Sequence, residues 1–189
     1  LLWDAGCRPI VVAARPAHLA DAQAEVGDRA IVMSATGDRR STTLGALTRV
    51  TGERVVVLDY TYPLATVDEV RAVLEGLEEA DACVVAIPVM ETLKLVKEGV
   101  VQETVDRAEM WHRQMPLGFR TATLSSAHRR AAEAQEAGAQ EEGTEGGDDV
   151  RTVERFGGKV IIVPGSRSNI RITTAEDLKL AHALVGREQ

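Results

Sequence analysis

Aromatic residues make up only 3% of the 189-residue chain. That is too few for the stacking platform with which single-stranded nucleic acids are held. Basic residues are in deficit as well: the formal net charge is -7, whereas nucleic-acid binding needs a basic face to neutralise phosphates. Nucleic-acid partners are therefore not expected, although a local basic pocket for a nucleotide is compatible with the balance. No apolar run approaches the roughly 20 residues of a membrane span, so no membrane partner is expected either. The two cysteines, Cys7 and Cys83, lie far apart beside or within apolar runs and read as free thiols of a reducing cytoplasm. The four histidines show no metal-ligand spacing, and no Ser/His/Asp or Cys/His grouping can be assembled. The first residues, Leu1 to Gly6, have neither a basic n-region nor a long apolar h-region. They read as the end of a helical segment with Gly6 as its C-cap, so the sequence is expected to begin inside a domain.

What is present is an alternation. Buried-strand runs are expected near residues 9–14, 30–33, 54–59, 82–88 and 159–163, each short and nearly all apolar. Helical stretches separate them: Pro16 to Glu25, Ser41 to Val50 with Leu44 and Leu47 inward, and one opened by the Thr66–Glu69 capping box. A further helix is expected from about Arg120 to Gln135. Thr174 caps a closing helix with Leu178, Ala181 and Leu184-Val185 inward. Strands alternating with helices imply an α/β fold with a mostly parallel sheet and right-handed crossovers, within a single domain over 1–189. Residues 90–118 break the rhythm: two strand-like runs flank Lys97-Glu98-Gly99, the pattern of a β-hairpin arm. Ala137 to Gly147 is rich in Gly and Glu and reads as a flexible acidic loop. Asp148-Asp149, just beyond it, reads as solvated too.

Asp59 stands at the carboxyl end of a strand, where open α/β sheets bind ligands and a carboxylate commonly holds Mg²⁺ against phosphates. A loop-capping Asp fits that position equally well. Gly37-Asp38-Arg39 is turn chemistry before a helix. Arg107 suits a phosphate clamp or a surface pair with Asp106.

In order, these segments resemble one family. Glu103-Thr104-Val105-Asp106-Arg107, then Trp111 and Gln114-Met115-Pro116-Leu117-Gly118-Phe119, is similar to a T-x-D-R, W, Q-T-P-Q-x-F run. The stretch from Val163 to Leu178 resembles V-x-G-x-x-x-N-x-K-(I/V)-T-x-x-E-D-L. Pro88 to Lys94 is similar to P-V-x-D-T-(I/L)-K, and Leu58 to Pro63 stands where H-D-A-A-R-P is expected. These motifs are those of the methylerythritol-phosphate cytidylyltransferases of isoprenoid precursor biosynthesis. The resemblance implies a Rossmann-like nucleotidyltransferase fold with a β-hairpin dimerisation arm. It implies transfer of CMP from CTP to a polyol phosphate, 2-C-methyl-D-erythritol 4-phosphate, with release of pyrophosphate, in a cytoplasmic homodimer. In that scheme Asp59 holds Mg²⁺, and Gly37, Asp38 and Thr42 meet the cytidine. Thr92, Arg107 and Arg171 serve the phosphates, with Arg107 reaching across the dimer.

The chain departs from the pattern at several places. Tyr62 replaces the Arg of H-D-A-A-R-P, Met115 and Leu117 replace Thr and Gln of Q-T-P-Q, and Arg171 replaces Lys. Ser168 and Glu91 each stand where the family has Asp. The family's A-A-G-x-G-x-R loop would precede Leu1, so residues 1–189 alone are expected to turn over little CTP. Two alternatives stay open: a different sugar or polyol phosphate, such as ribitol phosphate, and a non-catalytic degenerate paralogue.

Overall fold

The structure is a computed structural model that describes residues 1–35, 37–137 and 148–186. The acidic stretch expected as a flexible loop lies, after Ala137, outside the described residues.

Strands β1 (Val11–Ala14) and β2 (Ile31–Ser34) pair in parallel, joined by α1 (Leu19–Val26). Helix α2 (Arg39–Leu47) leads to β3 (Arg54–Val57), and α3 (Val67–Gly76) leads to β4 (Ala82–Pro88). The hairpin follows as β5 (Leu93–Lys97) and β6 (Val100–Val105). Next come β7 (Trp111–Arg120), α4 (Thr121–Glu136), α5 (Asp149–Arg155), β8 (Val160–Pro164) and α6 (Ala175–Val185). The main sheet has the order β3-β7-β4-β8. β4 and β8 are parallel, and β7 runs antiparallel to both β3 and β4. Thus β3, β4 and β8 share one direction, the expected parallel set, and β7 is an antiparallel insert between two of them.

β4 shows why such runs are apolar throughout. Ala82 and Val84 face a core cluster with Leu117, Phe119, Leu124 and Val153, while Cys83 and Val85 face a second one with Val73, Leu77 and Val163. Alternate side chains enter opposite faces of the sheet, so a strand covered on both sides has no polar face. α4 and α5 cover the first face, and α3 covers the second.

The local signals act as their chemistry dictates. Thr66 and Thr174 both close complete capping boxes, with Glu69 and Asp177. At the start of the chain, Gly6 N–H bonds to the Trp3 carbonyl and Cys7 N–H to that of Leu2. Gly6 has φ +81°, so this is a helical turn closed by a left-handed glycine. Glu98 and Gly99 both have positive φ, which matches the twist of a two-residue hairpin turn. α6 differs from expectation: Ala181 is buried, but Leu178 and Val185 remain about half exposed, because no described element covers that side of the helix.

The hairpin occupies Leu93–Val105, and the segment from Trp111 onward, expected to continue the arm to Gly118, belongs to the main sheet as β7. Its middle is irregular. The β4–β7 register slips between Val84 and Ala86, whose partners are Leu117 and Arg113. Pro116, with no N–H to give, sits in that irregularity, the place a sheet tolerates proline. Among the described residues no helix is long and apolar enough to cross a membrane.

Candidate functional site

Asp59 follows β3 at the carboxyl end shared by β3, β4 and β8. Its Oδ1 accepts from the N–H of Thr61 at 2.9 Å and from the Thr61 hydroxyl at 2.8 Å. One oxygen therefore caps its own turn. Among the described residues, Oδ2 accepts no hydrogen bond.

Arg171 is brought beside that turn from far along the chain. The N–H of Ile172 donates to the Thr61 carbonyl at 2.7 Å, which lays the loop after β8 along the Asp59 turn. A buried amide network fixes the loop. Gln114 on β7 donates to the carbonyls of Ser166 and Asn169 at 2.7 and 2.9 Å. Asn169, fully buried, donates to the Met115 carbonyl at 2.6 Å and to the Glu69 carboxylate at 3.2 Å. The Asn of the N-x-K segment thus holds the loop, while Arg171 two residues on is exposed.

Gly37, Asp38 and Thr42 lie at the start of α2. Asp38 is the N-cap, accepting from Ser41 N–H at 2.8 Å. That bond leads the causes that hold its carboxyl below the usual range. Gly37 has φ +86°, a conformation glycine adopts without strain, and both Gly37 and Asp38 are exposed.

The next residue, Arg39, joins this turn to the Asp59 region. Its guanidinium donates to Asp149 Oδ2 at 2.7 and 3.2 Å. Burial lowers its pKa, but the Asp149, Asp148 and Asp59 carboxylates outweigh that and raise it. Asp149, read from sequence as solvated, is fully buried. Its Oδ1 meets His128 Nε2 at 2.8 Å and the Thr43 hydroxyl at 3.2 Å. Burial pushes the Asp149 carboxyl up, yet the His128 and Arg39 contacts prevail and hold it below the ordinary range. Acidity alone suggested solvent. The missed signal was the Asp148 N-cap pattern, an Asp ahead of a short apolar-periodic run; Asp148 does accept from Arg151 N–H at 3.0 Å.

Arg113, not singled out from sequence, also lies here. Its carbonyl faces the buried Tyr62 hydroxyl at 3.4 Å, and its Nη2 stands 3.5 Å from Asp148 Oδ2. Burial pushes the Tyr62 hydroxyl up, and the charges of Arg113 and Arg171 pull against it while Asp59 adds to it. The charges of Asp59, Arg171 and Arg113 thus all act on one side chain.

Thr92 and Arg107 are elsewhere. They sit at the foot of the hairpin, just outside the Leu93–Val105 pair, and both are exposed. Among the described residues, no hydrogen bond or ion pair joins either to Asp59, Arg171 or the start of α2. The described residues hold no group of three or more His, Cys, Asp and Glu able to hold a metal unaided.

The sequence profile of the family described as IspD, 2-C-methyl-D-erythritol 4-phosphate cytidylyltransferase, matches residues 2–187. A 2-C-methyl-D-erythritol 4-phosphate cytidylyltransferase from Bacillus mycoides is 38% identical over 149 residues, 78% of this chain and 62% of that protein. One from Aquifex aeolicus is 38% identical over 152 residues, 80% of this chain and 67% of that protein. This chain thus spans about 62% of the length of the Bacillus mycoides relative. The crystal structure of 2-C-methyl-D-erythritol 4-phosphate cytidylyltransferase from Thermus thermophilus superposes with a TM-score of 0.78 at 28% identity, over 95% of this chain and 83% of that one. A 4-diphosphocytidyl-2C-methyl-D-erythritol synthase from Anaerococcus prevotii, at 22% identity, shares the fold with a TM-score of 0.80, over 94% of this chain and 78% of that one. The chain belongs to the 2-C-methyl-D-erythritol 4-phosphate cytidylyltransferase family, IspD.

Proposed function

We propose that the protein transfers CMP from CTP to 2-C-methyl-D-erythritol 4-phosphate, releasing pyrophosphate, as a cytoplasmic homodimer. The observation that carries this reading is the meeting of the family's segments at one strand end: Asp59 after β3, with the Arg171 loop hydrogen-bonded to its turn through Ile172 and Thr61. In the reaction a phosphate oxygen of the acceptor attacks the α-phosphorus of CTP, and the bond to the pyrophosphate oxygen breaks. Such a transfer asks for positioning and charge neutralisation more than for a base.

Asp59 suits Mg²⁺. One of its oxygens is fixed by Thr61 and the other accepts no hydrogen bond among the described residues. Mg²⁺ is commonly held by one or two carboxylates together with substrate phosphates, so a lone Asp is a sufficient protein contribution. Bound there, the ion would neutralise phosphate charge. Arg171 adds a positive charge beside the same turn. The exposed start of α2, with Gly37, Asp38 and Thr42, offers backbone and side-chain groups for the cytosine base.

Thr92 and Arg107 serve the acceptor phosphate of a second copy's site. The arm that carries them supports this: Leu95, Val96, Val100 and Val101 are each more than half exposed. An isolated two-stranded hairpin with such a surface is marginal alone and calls for a covering partner. The test is pyrophosphate release from CTP with Mg²⁺ and 2-C-methyl-D-erythritol 4-phosphate, by protein that carries the family's A-A-G-x-G-x-R loop. Turnover lost in Asp59→Ala supports the reading, and turnover unaffected by that change opposes it.

A further inference from the structure

Arg113, on the strand paired with β3, carries a buried donor without a partner among the described residues. It stands on β7 opposite Ala86 of β4, with a side chain 40% exposed. Its Nη2 stands 3.5 Å from Asp148, beyond the roughly 2.7–2.9 Å of a charge-assisted hydrogen bond. Its Nη1 is shut away from solvent and has no hydrogen-bond acceptor among the described residues. A buried donor left this way is costly. The contrast with Arg39 is direct, since that guanidinium forks onto Asp149 at 2.7 and 3.2 Å. Arg113 also lies against Tyr62, through the hydroxyl-to-carbonyl contact of 3.4 Å. Tyr62 occupies the place of the arginine in the H-D-A-A-R-P pattern, so the segment after β3 has lost a positive charge that β7 holds a short distance away.

We propose that Arg113 binds phosphate oxygens of the ligand at the Asp59 site, supplying from β7 the positive charge that position 62 lacks. The proposal rests on the nucleotidyltransferase reading for its ligand class. The rival role for Arg113 is purely structural, as the partner of Asp148 at the start of α5. The two roles separate cleanly. If Arg113 serves Asp148, removing either partner has the same effect. If it serves phosphate, removing Asp148 releases the guanidinium toward the ligand.

The experiment is calorimetric titration of the protein with inorganic pyrophosphate in the presence of Mg²⁺, followed by steady-state kinetics with CTP. Arg113→Gln should weaken pyrophosphate binding about 10-fold or more, the usual worth of a charge-assisted contact. Arg113→Lys should recover part of the loss, as a point charge without the planar fork. Adding Tyr62→Arg to Arg113→Gln should recover it as well, since charge returns from the neighbouring segment. Asp148→Asn should bind pyrophosphate as tightly as wild type or more tightly. Unchanged binding in Arg113→Gln overturns the proposal, and so does a comparable loss in Asp148→Asn. Should Arg113→Gln fail to fold, Arg113→Lys takes its place, with binding weaker than wild type expected and unchanged binding overturning the proposal. A protein carrying the family's A-A-G-x-G-x-R loop that binds pyrophosphate through Arg113 yet turns over no CTP upholds the inference and removes the reading on which it rests.

Discussion

Asp149 Oδ1 and His128 Nε2 lie 2.8 Å apart, and neither side chain has any exposed surface. With Arg39 and Thr43 they tie the start of α5 to α4 and to the first turns of α2. Removing the carboxylate strands the Arg39 guanidinium and leaves His128 with neither ring nitrogen partnered, because Nδ1 has no partner among the described residues. Breaking a buried pair from one side typically costs about 3–5 kcal/mol. Asp149→Ala is therefore expected to lose stability on that scale in urea denaturation, with Asp149→Asn losing less. A loss below about 1 kcal/mol would show that the cluster is not cooperative.

The same carboxylate sets an acid limit. Its folded pKa lies below the ordinary Asp value of about 3.9, held down by His128 and Arg39 against burial. A depressed folded pKa gives stability that is complete above the unfolded value and is lost as pH falls through the folded one. Asp177 behaves alike, lowered to about 2 by the N–H groups of Thr173 and Thr174 and by their hydroxyls. Melting temperature should thus be flat in this respect near neutrality and fall below about pH 4. Asp149→Asn should flatten that fall. A variant whose acid limb matches wild type would contradict the assignment.

Gly118 tests the packing of α3 on the sheet. A Cβ at that position would overlap Val73 Cγ1 and lie 3.2 Å from Leu77 Cδ1, and both side chains are buried. Overpacking of this kind costs about 1–3 kcal/mol. Gly118→Ala should lower the denaturation midpoint accordingly, without changing the urea m-value.

Much of this architecture was legible beforehand because its signals are local. Both capping boxes, the hairpin about Glu98-Gly99 and the positions of the expected strands need no distant partner to be read. Of those strands, however, only β4 is buried along most of its length, and Ile31 of β2 and Ile162 of β8 are 44% exposed. β7 was not legible. His112, Arg113, Gln114 and Pro116 interrupt its apolar pattern, and only the register slip opposite Val84 and Ala86 makes room for the proline. The candidate site divides the same way. Asp59 could be placed from its strand, whereas Arg113 and Asp149 acquire meaning from neighbours that the chain reaches much later or much earlier. Asp149 meets Arg39 across 110 positions of sequence, and no local pattern announces such a contact.

The arm makes a separate prediction about assembly. Val96 and Val101 are paired across the hairpin and are 52% and 54% exposed. A Val101→Glu change places a charge on the face expected to meet a second copy. Light scattering at micromolar concentration should give a dimer for the wild type and a monomer for the variant. A wild-type monomer would detach Arg107 and Thr92 from any shared site.

Asp59, at the end of β3, is the residue on which the proposed cytidylyl transfer depends most. Pyrophosphate release from CTP, with Mg²⁺ and 2-C-methyl-D-erythritol 4-phosphate, tests that dependence most directly when wild type and Asp59→Ala are compared at matched thermal stability. In protein that carries the family's A-A-G-x-G-x-R loop, turnover is expected in the wild type and a loss of about 100-fold or more in the variant, with the melting temperature little changed. A variant that turns over CTP as fast as the wild type would contradict the assignment of Asp59.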